Sequence, residues 1–298
     1  MQMIQDGLLS VGSGHKVYFH EYGNPSGVPI LVFHGGPGNY SKPRHADLFD
    51  PEKHRVVLFD QRGCGKSVYD DRYQDNTIDF TADDAAAILE HLGIKKVHVV
   101  SSSWGSACAL NFAKRHKSYV KKMILSNIFL ARQSEIDWLT GGWRNFYPDL
   151  YEFVYRDDSV EDFCKQVLSE DREDVIHSTK LFGSAERQLG GLYFSNDTIE
   201  EMKAYTPSED HIHNYKMYMY YIANAMTIKK PLLEDVSILN DLDITIVHNR
   251  LDFNSLFVNA WDLHKALPAS KLIISSDIGH DSEQLKCIVK DLIYKELL

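Results

Sequence analysis

Residues 99–106 read VVSSSWGS, and this stretch decides both the fold and the place to look for chemistry. The run KVHVV at 96–100 has three valines among five residues, which favours a strand buried in a parallel sheet. The segment WGSACALNFAKRH at 104–116 has the composition of a helix. The serines therefore occupy a sharp turn from a buried strand into a helix.

One of these serines satisfies the rule for a nucleophile on such a turn. Small residues are needed two positions before and two positions after the nucleophile, because the strand and the helix pack closely there. Only Ser103 is followed two positions later by a glycine, Gly105, whereas Ser101 stands where glycine is usual on the strand side. The alternative is a polar turn that caps the following helix and does no chemistry.

Similar buried-strand patterns recur along the chain and alternate with helical segments. One predicted helix covers 81–92, with Thr81 as its cap and Gly93 at its end. This alternation is typical of βαβ units and a mostly parallel sheet. The fold class that we expect is α/β, an α/β-hydrolase with helices on both sides of the sheet. The further predicted strands are 29–33, 55–59, 123–125, 244–248 and 271–275.

The alternation stops in the middle of the chain. From 132 to 235 the sequence is rich in charge, tyrosine and phenylalanine and has no clear buried strand. We therefore expect a first part of the core at 1–131, an inserted helical cap at 132–235, and a second part of the core at 236–298.

A serine nucleophile needs a base, and the base needs a carboxylate that orients it. In α/β-hydrolases the chain order is serine, acid, histidine, each following a strand. Asp252 follows the predicted strand 244–248, and His280 follows the strand 271–275. Each alone is better explained as a loop aspartate or a helix-capping histidine, but their order and placement together predict the set Ser103, Asp252 and His280.

An oxyanion hole needs backbone N–H groups aimed at the developing negative charge. The amide of Trp104 directly follows the candidate nucleophile, and the loop HGGPG at 34–38 follows an early predicted strand. We expect Gly36 to supply the second donor. An ordinary glycine turn is the alternative explanation of that loop.

The net charge of −10 and the pI near 5.8 argue against nucleic acid or an anionic membrane as a partner. No apolar stretch approaches a membrane span, and no signal peptide is recognised. The four cysteines are scattered without a pair at ligand spacing, which favours reduced thiols, a cytoplasmic protein and no metal site.

Several motifs resemble the proline iminopeptidase (prolyl aminopeptidase) family, α/β-hydrolases of the S33 serine peptidase type. The resemblance implies a helical cap over a cleft and release of an N-terminal proline from small peptides, without metal or organic cofactor. It also implies catalytic roles for Ser103, Asp252 and His280, with Gly36 and Trp104 as oxyanion donors. The motifs are HGGPG (34–38), LFDPE (48–52), LFDQRGCGKS (58–67), SWGS (103–106) and NAWDLHKALP (259–268).

The main departure from the family lies in the cap. The family carries Glu-Asn-His-Tyr-Phe there, and its Glu binds the substrate's amino group. The nearest counterparts here, GGLYF at 190–194 and YMYYI at 218–222, lack that Glu. Four other acids are candidates for the role: Glu135, Asp137, Glu200 and Glu201.

This departure leaves two alternatives to an aminopeptidase. The first is an esterase or amidase that acts on another small substrate through a changed cap. The second is a hydrolase-fold protein that binds a ligand without turnover, which Ser101 in place of the elbow glycine would favour.

Overall fold

A mixed sheet of nine strands runs through the core of the computed structural model, which describes residues 1–191 and 197–297. The strand order is β1-β2-β4-β3-β6-β7-β8-β9, with β5 paired beside β2. The pairings of β2 are antiparallel, and all pairings from β4 through β9 are parallel. The strands are β1 (Met3–Gly12), β2 (His15–Gly23), β3 (Val28–Phe33), β4 (His54–Phe59), β5 (Val68–Tyr69), β6 (Val97–Ser102), β7 (Val120–Ser126), β8 (Asp243–Leu251) and β9 (Lys271–Ile278).

Helices on both faces connect the parallel strands, and a set of helices is inserted between β7 and β8. The helices of the core are α1 (Ile78–His91), α2 (Trp104–Arg115), α9 (Phe257–Ala266) and α10 (Glu283–Glu296). The inserted ones, called the cap helices below, are α3 (Gln133–Thr140), α4 (Pro148–Val154), α5 (Val160–Leu168), α6 (Arg172–Gly191), α7 (Thr198–Ala204) and α8 (Glu209–Ala223). The described residues of this insertion form no strand.

Strand β6 lies in the middle of the sheet, and its residues contribute to both layers of the core. Val97 and Val99 belong to a large cluster that includes Ala107 and Leu110 of α2. Val100 points to the other face, where its cluster includes residues of β7, β8 and α10. Burial on both faces explains why valines on both faces of this strand belong to the core.

Helix α1 begins earlier than its sequence indicates. Its N-cap is Thr77, whose hydroxyl accepts the N–H of Phe80 at 3.4 Å. The predicted cap, Thr81, lies inside the helix and donates its hydroxyl to the Thr77 carbonyl at 3.2 Å. The prediction was wrong by one turn because either threonine can cap and buried Ile78 lengthens the apolar face.

Among the described residues, we find no helix with the length and apolar character that crossing a bilayer requires. The parallel strands β6, β8 and β9 end at the same edge of the sheet, beneath the cap helices. That edge therefore brings together the three candidate residues, which follow these strands.

Candidate active site

Ser103 is the single residue between β6 and α2. Its φ of 59° and ψ of −135° place it in a region that residues other than glycine rarely adopt. Its backbone N–H donates to the Ser126 carbonyl of β7 at 3.1 Å. A side chain at Gly105 would place its Cβ 2.3 Å from the Phe33 carbonyl oxygen, so close packing excludes any other residue there. These are the features of a nucleophile elbow.

Ser101 has a structural partner in place of the usual glycine. Its buried hydroxyl accepts the backbone N–H of Phe33 at 3.1 Å. The strand side of the elbow therefore has room for a side chain, and the serine hydroxyl satisfies a buried donor of β3.

Asp252 and His280 form a short hydrogen bond at the end of β8 and β9. Their Oδ2 and Nδ1 atoms are 2.7 Å apart, so the ring donates from Nδ1 and keeps Nε2 available to take a proton. The second carboxylate oxygen accepts the backbone N–H groups of Asn254 and Ser255, each at 2.9 Å. Burial opposes the charged forms, but the pairing outweighs it: the pKa of His280 is raised and the pKa of Asp252 is lowered.

The backbone of His280 is held from two sides. Its N–H donates to the carbonyl of Gly190, at the end of cap helix α6, at 2.9 Å. Its carbonyl accepts the side-chain amide of Asn127, in the loop after β7, at 2.8 Å. The position of the imidazole therefore depends on contact between the cap helices and the core.

The hydroxyl of Ser103 makes no hydrogen bond of ordinary geometry within residues 1–191 and 197–297. The Ser103–His280 contact is thus not formed in this arrangement of the cap and the core. Such contacts are often long in free enzymes and shorten when substrate is bound.

His248, in β8, is a polar residue of the site that sequence reasoning missed. It is fully buried, its Nδ1 accepts the N–H of Ile128 at 2.9 Å, and its Nε2 donates to the Ser255 carbonyl at 2.7 Å. Burial lowers its pKa, which keeps the ring neutral as this pair of bonds requires. It ties the loop of Asp252 to the loop after β7. The only signal in the sequence is a histidine inside an apolar strand.

The two candidate oxyanion donors lie beside Ser103. Trp104 is the first residue of α2, a position where the N–H has no acceptor within the helix. Its indole donates to Gln61 Oε1 at 2.9 Å, which holds the start of the helix. Gly36 lines the same small cavity as Ser103.

The cavity around Ser103 has a volume of about 20 Å³. A space of about 10–15 Å³ holds one water molecule, so a substrate needs the cap helices to move away. Tyr218, in the family-like segment 218–222, lines this cavity from α8, whereas residues 192–194 of the segment GGLYF lie outside the described residues. The described lining residues are Gly36, Pro37, Ser103, Phe129, Leu139, Glu186, Tyr218, Asn254 and Ser255.

The candidate acid Glu135 does not line this cavity. Its buried carboxylate accepts the backbone N–H groups of Leu130 and Ala131 at 2.8 and 2.9 Å and pairs with Arg132 Nε at 2.8 Å. These bonds use its acceptors to hold the turn that leads into α3. It supports the backbone where the insertion begins.

The other three candidate acids are on the surface. Asp137 accepts from Gln133, and Glu200 pairs with Lys203 within α7. Glu201 is exposed on the same helix. Residue type and position within the insertion do not by themselves distinguish an acid that faces solvent from one that faces the cavity.

Glu186 is the acid that does face the cavity, and sequence reasoning missed it. It lies on α6, and its Oε1 accepts the side-chain amide of Asn254 at 3.2 Å. Burial raises its pKa, although the nearby His280 opposes this. Gly190, the first residue of one of the two nearest counterparts of the family's cap motif, is four residues later and therefore on the same face of α6. That spacing is the signal that could have found it.

No group of three or more His, Cys, Asp or Glu side chains that could hold a metal ion occurs in the part of the chain that the structure describes.

Comparisons with known proteins agree with this geometry. A family model described as "alpha/beta hydrolase fold" matches residues 28–282. The chain is 30% identical over 289 residues to a proline iminopeptidase of Xylella fastidiosa (strain 9a5c), covering 93% of this chain and 91% of that protein. It is 32% identical to the proline iminopeptidase of Neisseria gonorrhoeae, covering 91% and 89%.

Solved structures support the same fold. A putative aryl esterase from Burkholderia cenocepacia superposes with a TM-score of 0.65 at 16% identity, covering 97% of this chain and 98% of that one. A proline iminopeptidase-related protein from Thermus thermophilus superposes with a TM-score of 0.62 at 16% identity, covering 99% and 98%.

Proposed function

Because the chain belongs to the proline iminopeptidase family of α/β-hydrolases, and is thus a hydrolytic enzyme, we propose that it releases an N-terminal residue, with proline expected, from small peptides. The proposed catalytic residues are Ser103, Asp252 and His280, acting through an acyl-enzyme. The observation that carries the proposal is the 2.7 Å bond between Asp252 and His280 beside a serine in an elbow conformation.

In the first half-reaction, Ser103 Oγ attacks the scissile carbonyl carbon while His280 Nε2 takes the hydroxyl proton. The carbonyl oxygen becomes an oxyanion that the amides of Gly36 and Trp104 stabilise. His280 then gives its proton to the leaving amine, the C–N bond breaks, and an ester to Ser103 remains. Asp252 keeps the imidazole in the required tautomer and stabilises its charged form.

In the second half-reaction, a water molecule attacks the ester carbonyl and gives a proton to His280 Nε2. The bond to Ser103 Oγ breaks, the serine recovers its proton, and the released residue leaves as a free carboxylate. Water is the co-reactant that balances the two half-reactions.

Glu186 is our proposed partner for the substrate's amino group. Its carboxylate lines the cavity with Ser103, and a partly desolvated carboxylate gains from pairing with a cation. It would take the role that the resembling family gives to the Glu of its cap.

The test compares prolyl p-nitroanilide, which carries the cation, with p-nitrophenyl acetate, which does not. Glu186→Gln should lower the ratio of kcat/KM for the prolyl substrate to that for the ester by about 10- to 100-fold, because one charge-assisted contact is lost. Glu200→Gln, on the exposed surface of α7, is the matched control and should leave the ratio as it is.

Two results would contradict the proposal. Unchanged selectivity in Glu186→Gln would remove Glu186 from substrate binding. Clear turnover of the ester by the wild-type enzyme, without turnover of the prolyl substrate, would establish an esterase in place of an aminopeptidase.

A further inference from the structure

The side chain of Asn254 has one atom that the structure leaves without a partner. Its Nδ2 donates to Glu186 Oε1 at 3.2 Å. An ionised carboxylate only accepts, so the amide nitrogen must face Glu186 and the amide oxygen must face elsewhere. That oxygen, Asn254 Oδ1, is buried and accepts no hydrogen bond from any described residue.

A buried acceptor without a donor is uncommon, because the protein loses its hydration without compensation. The residue that carries this one lines the cavity that also contains Ser103 and Glu186. The backbone of Asn254 is also held in place, since its N–H donates to Asp252 Oδ1 at 2.9 Å. An N–H group of a ligand bound beside Asn254 would satisfy this acceptor.

The glycine at the end of α6 explains why this acceptor is available. A Cβ at Gly190 would stand 3.0 Å from Asn254 Nδ2, which is tighter than an ordinary contact. Asn254 thus occupies the space next to Gly190 and reaches Glu186, one turn back on the same helix. A larger residue at 190 would displace the amide from this position.

We propose that Asn254 Oδ1 is a second acceptor for the substrate's ammonium, so that Glu186 and Asn254 together bind two N–H groups of one nitrogen. This inference rests on the proposed function, in which Glu186 binds that ammonium. The N-terminal nitrogen of a prolyl peptide is a secondary ammonium with two N–H groups, which matches the two acceptors. Asn254 is therefore a specificity-determining residue that distinguishes substrates by the number of N–H groups, while Glu186 responds to their charge.

The experiment compares prolyl p-nitroanilide with its N-methylprolyl counterpart. Both carry one positive charge, but the N-methylated nitrogen has a single N–H group, which pairs with Glu186. Asn254→Leu removes the acceptor with a side chain of similar size and keeps the backbone N–H to Asp252. We expect the wild-type enzyme to favour the prolyl over the N-methylprolyl substrate by about tenfold in kcat/KM, and Asn254→Leu to lose most of that preference.

Two further variants keep the result interpretable. Asn254→Ala tests the same loss without added bulk, in case leucine disturbs the cap. Asn240→Leu, at an exposed position, is the matched surface control and should retain the wild-type preference.

The outcomes separate this inference from the function on which it rests. If the wild-type enzyme hydrolyses neither substrate, the proposed function fails. If it hydrolyses the prolyl substrate and both Asn254 variants keep the full preference, the second-acceptor role is overturned. An equal fall for both substrates would also overturn it, since that would show only support of Asp252.

Discussion

Two cavities of this molecule lie near a serine, a histidine and an aspartate. They differ in size and in whether the aspartate is bonded to the serine or to the histidine. The cavity around Ser103 has about 20 Å³. A groove of about 750 Å³ lies between strand β2 and the cap helices α6 and α8. Its lining includes His20, Ser41 and Asp60. In the groove, Ser41 Oγ donates to Asp60 Oδ1 at 2.5 Å and lies 2.7 Å from His20 Nε2.

The hydrogen-bond partner of each aspartate explains why we assign catalysis to the small cavity. In the groove the Ser41 hydroxyl lies between Asp60 and His20. It donates its hydrogen bond to Asp60, so it can only accept the Nε2–H of His20. His20 Nδ1 is in turn bonded to the Tyr22 hydroxyl at 3.1 Å. No nitrogen of His20 is left to accept the Ser41 proton. At the small cavity the aspartate is bonded to the histidine, so His280 Nε2 can take a proton from Ser103. The hydrogen-bond partner of the aspartate, and not residue type or cavity size, distinguishes the two cavities.

The largest expected effect comes from replacing the serine of each cavity by alanine. Ser103→Ala should lower kcat by about 10⁴-fold or more, because the nucleophile is lost. Ser41→Ala should keep kcat close to that of the wild type and lower the free energy of unfolding by about 1–2 kcal/mol, because Asp60 loses a buried donor. Steady-state kinetics and urea denaturation measure the two quantities.

A fluorophosphonate probe gives an independent check on that pair of variants. The adduct should form on Ser103, as identified by mass spectrometry of the folded protein. An adduct on Ser41, or an active Ser103→Ala enzyme, would reverse the assignment of the two cavities.

The next effect concerns pH, because the two histidines are shifted in opposite directions. Burial opposes the charged form of each, but Asp252 outweighs it at His280, whose pKa is raised above 6.5, whereas the pKa of His20 is lowered. The base must be neutral to act, so kcat/KM should fall as pH decreases through the raised pKa of His280. The midpoint in a pH–rate profile should lie above about 6.5.

The lowered pKa of His20 should affect the stability of the fold and not the rate of the reaction. Its folded pKa is below that of the unfolded chain, so the unfolded state binds more protons below about pH 6.5. The contribution of His20 to the free energy of unfolding is therefore lost as pH falls from that value.

An acid limb of kcat/KM centred below about pH 6 would show that Asp252 does not raise the pKa of His280.

The smallest effect on activity is expected at a third serine, Ser101, which lies next to the elbow and accepts a backbone N–H from a neighbouring strand. Ser101→Gly should lower the free energy of unfolding by about 1–3 kcal/mol, because the buried N–H of Phe33 loses its acceptor and a strand gains a glycine. The kcat of the folded enzyme should change little. Thermal unfolding together with kinetics checks this, and a more stable variant would show that the side chain strains the elbow.

Sequence reasoning predicted the α/β-hydrolase class correctly, because its signals are local or ordered along the chain. Buried parallel strands are unbroken apolar runs, and Gly105 marks the turn because a Cβ there would meet the Phe33 carbonyl. The order of Ser103, Asp252 and His280 is also visible in the chain. Their bonding partners, including the buried ring of His248, are not, since those depend on how distant loops meet.

The cap shows the limit of the sequence most clearly. Helical periodicity says which residues share a face, as Glu186 and Gly190 do, but not what that face contacts. The sequence by itself therefore determined the fold class and the three proposed catalytic residues, and offered four cap acids of equal merit. Only the tertiary structure decided that Glu186 and Asn254 line the same cavity as Ser103, because contacts of α6 with the loops after β8 and β9 join residues far apart in the chain.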